Sequence, residues 1–294
     1  ACFWAGLRAR RIPCGIPLPG GWPPTPLRRW PARFYRFLAA NVQQVIVHQR
    51  VGTLTLLQEN GIPADRIVVI PHGTWTSKDI APSNIPGTIG IMGRRIVLFT
   101  GNIHRRKGLH ILLQAFPAVV RKIPGACLSV VGNERTNNFI DRIYRLWLHV
   151  GMRQGLKEGW LIRRAEYVPD DELWAQIAAA EVVVFPYLRR YGSASGIFHR
   201  VLAAGRPAIC SNVPTFSEAA DAWGESMADL FPPPGNVGAL SRALIDILSD
   251  KSFLRQAEEA SAILGRETSW PLVAREHLRL YKSLLLPAPT PGEN

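Results

Sequence analysis

Beyond about residue 95, short β-branched and aromatic runs alternate with segments that place an apolar residue every three or four positions. Residues 96–100, 127–131, 182–185 and 207–210 are the clearest runs, with a less regular one around 160–162. Between them, 109–120, 138–150 and 172–180 carry helical periodicity, and Ile197, Phe198, Val201 and Leu202 mark a shorter helix. Asp170 is placed to cap the 172–180 helix. Three more helices are predicted over 237–248, 252–264 and 270–285. Strands alternating with helices at this spacing predict a parallel, doubly wound α/β sheet. Ligands of such sheets sit beyond the carboxyl ends of the strands.

The first part of the chain reads differently. Residues 1–30 are rich in Pro, Gly and Arg, show neither period, and read as an irregular arm. A helix carrying Phe34, Tyr35, Phe37 and Leu38 follows, then a strand over 42–47, a helix over 51–59 ending at Asn60-Gly61, and a strand over 67–70. The expected division is an arm (1–30), the remnant of one domain (31–80), a linker (81–94), a main domain (95–269), and a final helix with its tail (270–294). Two strands cannot make an independent sheet with a buried face. Exposed apolar surface is therefore expected at Phe34, Phe37, Leu38, Val45 and Val47.

The 294 residues carry a formal charge of +13, and 29 of the 35 basic residues are arginines. Such a balance suits nucleic acid, anionic lipid or phosphate ligands, but it also follows from GC-rich coding. No basic run with interleaved aromatics forms a nucleic-acid stripe, so no nucleic-acid partner is expected. No apolar run reaches the roughly 20 residues that span a bilayer. Cys2, Cys14, Cys127 and Cys210 are too scattered for a zinc site or a disulfide framework, and the start of the chain lacks a cleavable signal pattern. A cytoplasmic protein, peripheral to a membrane at most, is expected.

Two strand ends hold the candidate chemistry. Thr100-Gly101-Asn102-Ile103-His104-Arg105-Arg106-Lys107-Gly108 is neither a G-x-G-x-x-G nor a Walker A loop. A glycine at a strand's end followed by Arg-Arg-Lys at a helix start suits a polyanion; the alternative is a solvated basic turn. Ser193–Ile197 can cradle a phosphate on free helix-start amides, or Gly and Ser can simply turn the chain and cap the helix. Two anion-suited loops at one sheet edge favour a diphosphate. His72, in a Pro-His-Gly turn, reads as a hinge residue or a general base. His104 and His199 read as structural or solvated, and Glu218 as favourable charge at a helix start.

Six ordered segments carry a resemblance: VIVHQ with RIVVIPHG, FTGNIHRRKGLHILLQAF, YVPDDELWAQIAAAEVVVFPY, SGIFHRVLAAGRPAICSNVPTFSEA, FPPPGNVGALSRALIDILSD, and SWPLVAREHLRLYKSLL. Together they resemble the donor-binding half of a family 4 retaining glycosyltransferase with the GT-B fold. The resemblance implies a Rossmann-like donor domain, the end of an acceptor-side domain in 31–80, and a C-terminal helix that crosses back to it. It implies a UDP- or GDP-sugar donor, a saccharide or lipid-linked acceptor, and no metal or other cofactor. The residues it assigns to the donor are Gly101, Asn102, Arg106, Lys107, Tyr167, Val168, Ser193, Ser195, Gly196, Ile197 and Arg200, with no catalytic residue identified. Lys107 matches the lysine that contacts the diphosphate, Ser195 to Ile197 match the helix-start amides, and Tyr167 and Val168 match the turn against the base. Asn102 replaces the usual arginine. Gly192 and Arg200 replace a pair of glutamates, the second of which binds the ribose; a guanidinium cannot accept hydrogen bonds from a diol. The alternative function is a catalytically silent nucleotide-sugar-binding or partner subunit, and the chain by itself is expected to be at most feebly active.

Overall fold

A computed structural model describes residues 15–17, 37, 41–51, 58, 61–76, 93–133, 139–164, 168–188 and 194–285. The chain divides into two compact units, one of 74–190 with 195–267, the other of 1–73 with 191–194 and 268–294.

The larger unit holds a five-stranded parallel sheet. Its strands are β4 (Arg95–Thr100), β5 (Ala126–Val131), β6 (Leu161–Arg164), β7 (Val182–Phe185) and β8 (Ala208–Cys210), in the order β6-β5-β4-β7-β8. Every residue of β5 and β7 is buried, which is why β7 reads as a continuous apolar run and β5 as one broken only by Ser129. Helices α1 (Leu109–Lys122), α2 (Phe139–Glu158), α3 (Asp170–Ala179), α4 (Gly196–Ala203), α5 (Ser217–Trp223), α6 (Val237–Ser249) and α7 (Lys251–Glu267) complete the unit. Leu109, Leu112, Leu113, Phe116 and Val119 bury one face of α1. Helix α2 runs eight residues past the predicted end, because Met152 and Gly155 continue its buried face through a polar stretch. Cys127 and Cys210 are buried free thiols.

The strand order places β4 beside β7, and the chain departs to opposite sides of the sheet from these two neighbours. That is a topological switch point, where the loops leaving adjacent carboxyl ends diverge and open a crevice. Both candidate anion loops leave this edge, one from β4 and one from β7.

Two glycines let the loops close on their neighbours. Gly108 adopts φ +71°, and a Cβ there would lie 1.7 Å from the Pro186 carbonyl oxygen. A Cβ on Gly132, at the end of β5, would lie 1.9 Å from the Gly101 carbonyl oxygen.

The smaller unit contains β1 (Gly15–Pro17), β2 (Gln44–Val47) and β3 (Ile67–Val69) in a parallel sheet of that order. This corrects the reading of 1–30 as an arm without regular structure, since Gly15–Pro17 supplies an edge strand. Val45 and Val47 are buried, against the expected exposure, because β1 and β3 flank β2 on both sides. Phe37 is exposed as expected. The side chains of Phe34 and Leu38, the helix over 51–59 for the most part, and most of the 81–94 linker lie outside the described residues. Helix α8 (Trp270–Leu285) belongs to this unit, packing Val273, Leu280 and Tyr281 against Ile46, Val68 and Ile70. Trp270 covers Gly73, leaving no room for a side chain there.

Gly108→Ala combines an unfavourable left-handed backbone with a clash that neither carbonyl nor loop can relieve. It is expected to cost about 2–5 kcal/mol in urea unfolding. Gly125→Ala, at φ +80° with open space around it, is expected to cost only about 1–2 kcal/mol.

Candidate functional site

The β4–α1 loop begins at Gly101, whose N–H donates to the Val131 carbonyl (3.1 Å). Gly101 and Asn102 lie at the surface side of this turn, and the Ile103 N–H donates to the Asn133 carbonyl at 2.9 Å. Arg105, Arg106 and Lys107 then form one 3-10 turn that ends at Gly108. Arg105 and Arg106 are exposed, while Lys107 points inward and is buried. The two loops are tied together here, because the Leu188 N–H donates to the Arg106 carbonyl at 3.0 Å.

Lys107 Nζ donates to the hydroxyl of Tyr187 and stands 3.8 Å from the centre of the Tyr187 ring. Tyr187 is itself fully buried among Phe185 and Phe216. Its hydroxyl lies 3.4 Å from Ser195 Oγ, which accepts from the Phe198 N–H at the start of α4. Lys107, Tyr187 and Ser195 thus link the first loop to the helix after the second. Burial removes water from the ammonium group and pulls its pKa down to about 7.

The capping reading of the Ser193–Ile197 segment holds at Ser195. Ser195 is the N-cap of α4, so its hydroxyl serves the helix. The first intrahelical bond runs from the His199 N–H to the Ser195 carbonyl, which leaves the Gly196 and Ile197 amides at the helix start outside the intrahelical ladder. Gly196 and Ile197 are half-buried.

Arg200 lies one turn further along α4. It donates to Asp170 Oδ2 at 2.9 Å, and its guanidinium sits 5.1 Å from the Trp75 ring and 5.4 Å from the Trp174 ring. The bond to Arg200 holds the exposed Asp170 carboxyl below its ordinary pKa. Asp170 is therefore not the predicted cap. Pro169 occupies the N-cap position without a side-chain bond, and Asp170 is the first helical residue, turned to Arg200. Val168 is buried just before α3. Tyr167, Gly192 and Ser193 lie outside the described residues.

The remaining candidates stand elsewhere. His199 Nδ1 pairs with the buried Thr74 hydroxyl at 2.7 Å, and His104 is the extended residue before the Arg-Arg-Lys turn. His72 belongs to the smaller unit; its Nδ1 donates to the Gly73 carbonyl (2.8 Å), and burial lowers its pKa. Glu218 lies in the first turn of α5, as its charge suits. Sequence reasoning missed Tyr187, Trp75 and Trp174, for nothing in local spacing singles out these aromatics. Among the described residues no cluster of three or more His, Cys, Asp and Glu side chains could hold a metal.

With the geometry in place, the comparisons with known proteins define the class. Residues 94–250 match the family described as Glycosyl transferases group 1. That is more than half of the chain, and the chain belongs to this family. It is 27% identical over 228 residues to the O-antigen chain mannosyltransferase B of Escherichia coli, covering 76% of this chain and 56% of that protein. It is 25% identical over 193 residues to the phosphatidyl-myo-inositol mannosyltransferase of Mycobacterium tuberculosis, covering 65% and 47%. The chain thus spans about half the length of these curated relatives. Among solved structures, HepE of Anabaena in complex with UDP matches with a TM-score of 0.72 at 16% identity, covering 93% of this chain and 73% of that one. A UDP-forming trehalose-phosphate synthase of Burkholderia xenovorans matches with a TM-score of 0.75 at 14% identity, covering 94% and 69%. The fold is the Rossmann-like α/β arrangement of GT-B glycosyltransferases.

The buried lysine gives a stability signature. Between pH 7 and about 10 the unfolded chain keeps Lys107 protonated while the folded chain releases the proton. Stability attributable to this residue must therefore rise with pH, by up to about 1.4 kcal/mol per unit, and be least below pH 7. The difference in unfolding free energy between wild type and Lys107→Met is expected to move in favour of wild type across that window. A pH-independent difference would show that the ammonium is not desolvated.

Proposed function

We propose that the chain is the donor-binding part of an enzyme that moves a sugar from a nucleoside diphosphate sugar to a saccharide or lipid-linked acceptor. The observation that carries this reading is the buried Lys107 at the switch point, tied through Tyr187 to a helix start. A diphosphate resting between the Lys107 ammonium and the Gly196 and Ile197 amides meets a full charge on one side and a helix dipole on the other. Gly101 and Asn102 line the strand end beneath it, Arg106 offers a second cation at the rim, and Tyr167, Val168 and Ser193 complete the assignment. In the transfer step the sugar C1–O bond breaks, its electron pair stays on the leaving diphosphate, and the acceptor oxygen forms the new bond while its proton passes to the departing phosphate oxygen. Lys107 and the helix amides compensate the charge that develops on the leaving group, a role that asks for no metal in this reading.

The similar mannosyltransferases and the UDP-bound neighbour support UDP or GDP as the nucleotide and synthesis of a polysaccharide or glycoconjugate as the setting. Retention of configuration and a cytoplasmic site, peripheral to the membrane, belong to the same proposal. The same proposal divides the chain into an acceptor-side segment (31–80), a linker (81–94), a donor domain (95–269) and a crossover helix with its tail (270–294).

A second reading rests on Arg200. Its guanidinium is engaged by Asp170, Trp75 and Trp174, at the position where the family resemblance places a carboxylate. A subunit that binds nucleotide-sugar without turning it over fits that substitution. Transfer of labelled sugar by the purified chain supports the first reading, and binding without transfer supports the second.

Calorimetry with UDP-glucose and GDP-mannose is expected to show binding that takes up a proton near pH 8, since the anion restores the charge of a lysine poised near 7. Affinity should fall as pH rises from 7 to 9. Lys107→Ala should weaken binding by about 1.5–3 kcal/mol and abolish the proton uptake. Unchanged affinity would remove Lys107 from the site.

A further inference from the structure

Helix α2 buries one face and is apolar on the opposite one. Tyr144, Leu148, Met152 and Gly155 turn toward the sheet. Phe139, Ile143, Leu146, Trp147 and Val150 turn outward, with relative exposures of 73%, 51%, 64%, 50% and 60%. Their spacing of four, three, one and three residues makes a continuous ridge along one side of the helix, about 17 Å long at 1.5 Å per residue. Exposed apolar surface of this extent marks a contact site rather than ordinary scatter.

A basic flank borders the ridge. Arg142, Arg145 and Arg153 lie between the buried face and the outward ridge, and Arg142 and Arg153 are exposed. The helix carries no acidic residue from Arg142 to Lys157. Beside Trp147 a recess of about 100 Å³, lined by His110, Leu113, Gln114, Trp147, Leu148 and Gly151, opens between α1 and α2. Among the described residues no helix is long and apolar enough to cross a membrane, so the ridge is not part of a span.

We propose that the outward face of α2 is a docking surface for an anionic phospholipid bilayer. Large apolar side chains, one of them tryptophan, next to arginines are the composition of a helix that lies in the interface plane. The apolar ridge enters the acyl boundary while the arginine flank meets the phosphates. Charge selects this occupant over a second copy, because each chain carries +13 and like-charged copies repel, whereas an anionic leaflet attracts. The first turns of α2 follow the carboxyl end of β5, the edge from which the candidate donor loops also leave. The surface stands on its own geometry and does not depend on the donor assignment.

Co-sedimentation of the full chain with vesicles of about one part phosphatidylglycerol to three of phosphatidylcholine tests this. Binding is expected, and about 0.5 M salt should weaken it. Vesicles of phosphatidylcholine alone should bind far less. Leu146→Glu/Val150→Glu should reduce binding at least about tenfold, and Arg142→Glu/Arg153→Glu should remove the preference for phosphatidylglycerol. All four positions are exposed, and circular dichroism melting verifies that the variants stay folded. Absence of binding by the wild-type chain would overturn the proposal, as would full binding by the Leu146/Val150 variant. A dimer in analytical ultracentrifugation that this variant dissolves, without vesicle binding, would assign the face to a second copy instead.

Discussion

An ammonium group held out of water at the edge of a parallel sheet is the constraint on which the site depends. Lys107 reaches that position because Gly108 takes a left-handed turn directly against Pro186, which no side chain would permit. The same turn sets the Arg106 carbonyl opposite the Leu188 N–H, so two loops that leave neighbouring strands are joined. Tyr187 then covers the ammonium with its ring and hands its hydroxyl toward Ser195. Desolvation of a lysine is unfavourable, and a group so perturbed at the carboxyl edge of a parallel sheet marks a candidate binding site.

Much of this was legible before the fold was known. The central strands β4, β5 and β7 are covered on both faces, so their sequences are mostly apolar on both, and their ends are marked by Gly101, Gly132 and Pro186. The parallel, doubly wound arrangement follows from the spacing of such runs. Lys107 stood out because it follows a glycine at a strand end. Other features carry no local signal. Gly15–Pro17 is three residues long and contains both Gly and Pro, so it has no period to read, and it becomes a strand only beside β2. Asp170 has the composition of a cap, but Pro169 takes that place and Arg200 claims the carboxylate. Trp75 and Trp174 are remote in sequence and meet only in the folded unit, at a ring separation of 6.0 Å.

The Arg200 cluster shows how a site can change its chemistry while its scaffold persists. Helix α4 keeps its cap and its free first amides, which depend on the backbone and on Ser195. Arg200, one turn later, replaces an acceptor by donors and is packed by two tryptophans and a carboxylate. The cap at the helix start and the packing of Arg200 one turn later are thus separable, the first resting on the backbone and Ser195 and the second on individual side chains.

The central claim is that the two strand-end loops form one diphosphate site. A crystal structure of the chain with a bound UDP- or GDP-sugar tests it most directly. Phosphate oxygens are expected within hydrogen-bond distance of Lys107 Nζ and of the Gly196 and Ile197 amides, at the carboxyl ends of β4 and β7. A nucleotide-sugar seated elsewhere on the chain, with Lys107 still closed against Tyr187, would contradict it.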